Sequence, residues 1–174
     1  MRIKWFSLIR ITGLLLVLLY HFFQTVFPGG FFGVDVFFTF SGFLITSLLL
    51  EEFGQKGQID LLGFFRRRFY RIFPPVVLMI LVTMPFTFLV RQDYVAGIGS
   101  QIAGVLGFMT NFYEMLTGGS YESQFIPHLF VHNWSLAVEV HYYILWGLAV
   151  WFLSKRVKSS GQLRGTVFLL SSAA

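Results

Sequence analysis

The chain has 174 residues, of which 56% are hydrophobic, 20% aromatic and only 12% charged, with a formal net charge of +5. A soluble domain carries about 25% charged residues, so this chain has too few to wet a globular surface and reads as an integral membrane protein. The absence of cysteine excludes disulfides and thiolate metal sites. The basic residues are clustered, so their location carries more than their sum.

The first apolar stretch, "LLLVLLYHFFQTVF", sets a span from about Phe6 to Phe27. It is too long for a signal-peptide core, and no small-residue cleavage site follows. Pro28-Gly29-Gly30 predicts a turn, and a second span runs from about Phe31 to Leu50, ending at Glu51-Glu52. Each span is close to the roughly 20 residues needed to cross the hydrocarbon. A short turn between two spans means an antiparallel hairpin. The basic loop 51–73 follows. Within it Asp60 can cap a short helix, "LLGFFRRRFYRIF", whose Leu61, Leu62, Phe65, Phe69, Ile72 and Phe73 form an apolar stripe at helical spacing. Arg67 and Arg71 are four apart and share a face, as do Arg68 and Arg71, three apart. This reads as an amphipathic helix lying in the cytoplasmic interface.

A third span is expected from Pro74 to about Val90, with Pro74 and Pro75 in its first turn, where a missing N–H costs nothing. The stretch "RQDYVAGIGSQIAGVLGFMTNFY" is only moderately apolar and carries Gly97, Gly99, Gly104 and Gly107. The polar loop "TGGSYESQFIPH" comes next, then a strong span from about Val131 to Leu153, then "SKRVK". The closing "TVFLLSSAA" reads as the start of a further span. Lys and Arg set the orientation. The N-terminus, the 51–73 loop and "SKRVK" are expected to be cytoplasmic, which requires that 97–113 does not cross fully. The expected fold is therefore all-α and integral to the membrane: a multi-span helical bundle of about four full spans, a re-entrant or peripheral segment at 97–113, and an interfacial amphipathic helix.

Several polar side chains stand in apolar surroundings. His21 is an ionisable group in the middle or outer half of span one, where burial is expensive and function is the default reading; the blander reading is a neutral imidazole hydrogen-bonded between helices. Arg10 lies eleven residues earlier, so an α-helix puts both on one face, about 16 Å apart along the axis. Asp35 opens span two and could pair with His21 across the hairpin. Ser41 and Gly42 read as packing residues. His132, Ser135 and Glu139 recur at helical spacing, as acid/base groups or as an interhelical pair; His141 is off that face, and His128 falls in a loop with no assigned role. The arginines of 66–71 have a topological explanation, positive-inside bias with anionic lipid. A sharper one is recognition of a phosphorylated cytoplasmic ligand, whose oxygens match guanidinium forks. No metal motif, P-loop or nucleophile elbow appears, and neither a metal ion nor nucleic acid is expected.

Four motifs then coincide in order: "IRITGLLLVLLYH", with Arg-x10-His; "GVDVFFTFSGFLIT"; "RRRFYRIFPP"; and "HNWSLAVEVHYY". Together they closely resemble the acyltransferase 3 family of integral membrane acyltransferases, from about Arg10 to about Trp151. The resemblance implies transfer of an acyl group, often acetyl, from cytoplasmic acyl-CoA to a hydroxyl of extracytoplasmic or membrane-linked carbohydrate. It also implies a multi-pass place in the cell (inner) membrane. It assigns the Arg-x10-His pair to Arg10 and His21, the Arg-Arg-x-x-x-Arg motif to Arg66, Arg67 and Arg71, and the Trp-Ser-Leu-x-x-Glu motif to Trp134, Ser135, Leu136 and Glu139. The implied donor-binding set is Arg10, Arg66, Arg67 and Arg71; the implied catalytic set is His21 with Glu139 or Asp35. His141 departs from the family, which commonly has Gln there. The family domain is longer, so residues 1–174 read as its N-terminal part, truncated. The competing class is a non-catalytic membrane protein, such as a transporter fragment or polysaccharide-export scaffold.

Overall fold

The computed structural model describes residues 4–23, 25–89, 95–117, 128–157 and 159–172. The expected end of span three at Val90, most of the polar loop 117–128, and Lys158 lie outside the described residues, as does the Arg10 side chain. The described residues form helices and no strand. Among them three helices are long and apolar enough to cross a membrane: Pro28–Lys56, Leu61–Thr87 and Val131–Ser154. Their outer faces carry exposed Phe43, Leu78, Leu81 and Leu145, apolar surface that a bilayer covers and water would not. The protein is a multi-pass membrane protein. Its chain divides into two compact units, residues 1–57 with 159–174, and residues 58–158.

In the first unit α1 (Lys4–Phe22) and α2 (Gly33–Lys56) form a hairpin. The first expected span ends early: α1 stops at Phe22, short of the expected end at Phe27. Pro28 keeps the chain from resuming an α-helix directly after Phe27. The residue before a proline is pushed out of the helical region, and Phe27 has φ −124° and ψ 60°. Pro28–Phe32 is a 3-10 helix, not a simple turn, and it leads straight into α2. The helices meet at Gly33, where a Cβ would come within 2.8 Å of Val17 Cγ2. Close approach over small residues is how helices associate in lipid, where no hydrophobic force separates them from the solvent. A last helix, α7 (Ser160–Ser172), packs on α2 and buries Leu163 and Val167.

The second unit begins with α3 (Leu61–Thr83). Asp60 caps it as expected: its Oδ1 accepts the Gly63 N–H at 2.9 Å. The break expected at Pro74 does not occur. The arginine stretch and the third span are one continuous helix with both prolines inside it. Packing accounts for this. α6 (Trp134–Ser154) runs antiparallel along both halves of α3: Phe64 and Phe65 lie on Gly147, Arg68 on Tyr143, and Met79 on Asn133. A Cβ on Gly147 would sit 3.2 Å from the Phe64 ring, so the glycine lets the two helices close here. The 97–113 region forms two short helices, α4 (Ile98–Leu106) and α5 (Thr110–Thr117). At about 1.5 Å per residue neither reaches across a bilayer. They turn at Phe108, which takes φ 53°. Val76, Ile80, Val105 and Phe130 form one buried hydrophobic cluster of this unit.

Candidate active site

His21 lies in the last turn of α1 and is exposed. Because the helix ends at Phe22, it stands at the helix end and not well inside a longer span. Its Nδ1 is 2.8 Å from the Val17 carbonyl, and the Tyr20 ring packs edge-on at 5.6 Å. A carbonyl can only accept, so Nδ1 carries the hydrogen and a neutral ring presents its lone pair at Nε2. Arg10 occupies α1 eleven residues earlier. Asp35 is in the first turn of α2 and exposed. The expected pairing of Asp35 with His21 meets the hairpin register. Gly33 packs on Val17, and Phe37 on Gly13, which sets Asp35 level with Leu14, roughly 10 Å along the axis from His21.

On α3 the arginines divide. Arg66, Arg67 and Arg71 are exposed, whereas Arg68 is partly buried. A hollow of about 470 Å³ beside Arg66 is lined by Asp60, Phe65, Phe69 and Tyr70. Arg68 turns toward α6: its guanidinium carbon is 5.6 Å from the Phe64 ring centroid and 5.9 Å from that of Tyr143. Tyr143, which is buried, donates its phenolic hydrogen to Glu139 Oε1 one turn away. The antiparallel register therefore sets Arg68 level with the middle of α6, not at its end. The arginine stretch is thus the first part of a longer helix, not a separate one. A partly buried cation needs partners, and two aromatic faces supply them. His132 sits in a 3-10 turn just before α6, and its carbonyl accepts from Ser135 Oγ at 3.3 Å. His141 packs on Phe112 of α5 at 5.4 Å.

A family profile described as an acyltransferase domain matches residues 3–172. The chain belongs to the acyltransferase 3 family. It is similar to O-acetyltransferase OatA of Staphylococcus aureus (strain NCTC 8325 / PS 47), 34% identical over 155 residues, which is 89% of this chain and 26% of the relative. It is also similar to a putative O-acetyltransferase of Staphylococcus aureus (strain COL), 35% identical over 136 residues, 78% of this chain and 22% of the relative. The chain thus spans about a quarter of the length of these curated relatives. No solved structure matches it.

Within this acyltransferase 3 chain, the first unit holds Arg10, His21 and Asp35, and the second holds Arg66, Arg67, Arg71 and Glu139. The structure brings together one set that the sequence did not: Arg68, Tyr143 and Glu139. Arg68 shares a helix face with Arg71, but only the packing of α3 on α6 reveals that it points inward. Tyr143 lies four residues after Glu139, a helical spacing that could have flagged it.

Proposed function

We propose that this chain is part of a membrane O-acyltransferase that moves an acyl group, acetyl in the first place, from cytoplasmic acyl-CoA to a hydroxyl of a cell-surface or membrane-linked carbohydrate. The observation that carries this reading is the family match along residues 3–172; relatives named as O-acetyltransferases support it. The clustering of Lys and Arg supports an inner-membrane location with the N-terminus and the arginine end of α3 cytoplasmic. Exposed Arg66, Arg67 and Arg71 suit the phosphates of CoA, and Arg10 completes the donor-binding set.

His21 is the proton acceptor of the reaction. With Nδ1 tied to the Val17 carbonyl, its Nε2 takes the hydrogen of the acceptor hydroxyl as that oxygen attacks the thioester carbonyl. A C–O bond forms and the C–S bond breaks. The thiolate leaves as CoA and receives the proton from the imidazolium. Glu139 or Asp35 is the carboxylate for charge stabilisation; the hairpin register sets Asp35 roughly 10 Å along the axis from His21.

The test uses the purified protein in lipid nanodiscs with acetyl-CoA and a soluble carbohydrate. Carbohydrate-dependent release of CoA is expected from the wild type and not from His21→Ala. CoA release that ignores the carbohydrate, or equal release by both proteins, overturns the reading.

A further inference from the structure

One polar cluster has no part in the mechanism above. It lies where α4, α5 and the approach to α6 meet. Glu114 on α5 is 6% exposed, and its Oε2 lies 2.8 Å from Nδ1 of His128. A carboxylate is rarely buried without a partner that compensates its lost hydration, and here the imidazole supplies one. The surroundings are built to hold that imidazole. Gln101, 1% exposed, donates Nε2 to the Ala96 carbonyl at 2.8 Å and accepts the backbone N–H of Phe130 at 3.3 Å. That bond fixes the segment that carries His128. The Tyr113 ring packs 5.3 Å from the imidazole on another side.

Orientation gives the cluster its chemistry. The Glu114 carboxylate accepts from Nδ1–H, so the neutral ring is held with its lone pair on Nε2. Nε2 has no hydrogen-bond partner among the described residues, and the side chain is 18% exposed. About one turn before Glu114, Thr110 Oγ1 and Asn111 Oδ1 are buried with no hydrogen-bond partner. Both atoms are out of reach from outside, so they mark a polar interior behind the pair and are not part of a binding surface. The cluster also lies toward the end of the α3–α6 pair away from the arginines. Asn133, five residues after His128, packs on Met79, whereas Arg68 packs on Tyr143.

We propose that His128, oriented by Glu114, is a binding site for a hydroxyl of a carbohydrate, with Nε2 accepting the hydroxyl's hydrogen. The choice of carbohydrate rests on the acyl-transfer reading; the pair and its orientation do not.

The test uses the purified protein in lipid nanodiscs. A soluble β-1,4-linked N-acetylglucosamine pentamer is the probe, and diethyl pyrocarbonate, which modifies accessible imidazole nitrogens, is the reporter. Mass mapping separates the 4 histidines of the chain. At about ten times its dissociation constant, the pentamer is expected to slow modification of His128 by about tenfold and to leave His141 unchanged. In Glu114→Gln, protection should fall to about twofold or less, since the ring is no longer held in one tautomer. Equal rates at His128 with and without the pentamer overturn the proposal, and so does equal protection of every histidine. Undiminished protection in Glu114→Gln removes the orienting role. The readout needs no turnover. Selective protection in a protein that transfers no acetyl would sink the acyl-transfer reading and leave the site standing. Transfer without protection would do the reverse.

Discussion

Arg68 lies over the ring of Tyr143, 5.9 Å from its centroid, and Tyr143 donates its hydroxyl hydrogen to Glu139. A cation, an aromatic ring and a carboxylate thus form one chain between α3 and α6. Removing only the middle oxygen tests it. Tyr143→Phe keeps the ring under Arg68 and deletes a hydrogen bond to a charged group, worth about 1.5–3 kcal/mol. Turnover is expected to fall about tenfold to a hundredfold with the acetyl-CoA KM unchanged. Steady-state kinetics on the purified enzyme decide it; an unchanged kcat would remove Glu139 from the reacting groups.

The exposed arginines should behave differently. In the double variant Arg67→Gln with Arg71→Gln, acyl-CoA affinity is expected to weaken by on the order of 3 kcal/mol, through loss of two charge-assisted contacts. Both side chains are exposed, so the unfolding midpoint should move little. Calorimetric titration with CoA measures the first effect and a thermal melt the second. Unchanged affinity would return these residues to a topological role.

For His21, the expected outcome is loss of turnover with donor binding retained. His21→Ala and His21→Gln should both lower kcat by at least about a hundredfold, the usual scale of general-base catalysis, with CoA affinity close to wild type. Gln keeps a donor but cannot take up a proton at neutral pH. Retained activity in His21→Gln would make the ring a structural group; joint loss of CoA binding would make it a donor-site residue.

The α1–α2 hairpin makes a prediction about stability. Gly33→Ala pushes a methyl within 2.8 Å of Val17 and should destabilise the hairpin by about 1–3 kcal/mol. Gly29→Ala meets only Phe32, at 3.9 Å, and should be nearly neutral. Melts of both variants in the same detergent give the comparison; equal midpoints would contradict the close approach.

Orientation can be tested with single cysteines, since the chain has none of its own. Cysteines at Gln55 and at Lys155 are expected to resist impermeant thiol reagents in intact cells and to react after lysis. Labelling of the Lys155 site from outside would put the two basic segments on opposite faces.

Much of this was legible in the sequence, for local reasons. The Asp60 cap and the helix after Trp134 follow from a capping side chain and an unbroken apolar run. The continuous α3 was not legible. Two consecutive prolines predict a helix start, and the seating of Phe64, Phe65 and Arg68 before them and of Met79 after them on α6 holds the helix through. The Glu114–His128 pair was invisible for a different reason. Its partners lie 14 residues apart on separate segments, and no helical or turn spacing joins them. Arg66, Arg67 and Arg71 were found as a charge cluster, but which arginine faces inward is a property of the second helix.

The prolines of α3 also set a solvation requirement. Pro74 and Pro75 have no N–H to return to the carbonyls of Tyr70 and Arg71, so two backbone oxygens leave the helix ladder beside the exposed arginines. Hydrocarbon offers such oxygens no donor. This turn of α3 is therefore where the backbone most needs a donor from water, a neighbouring side chain or a ligand, and it lies one turn from the exposed guanidinium groups of Arg66 and Arg67.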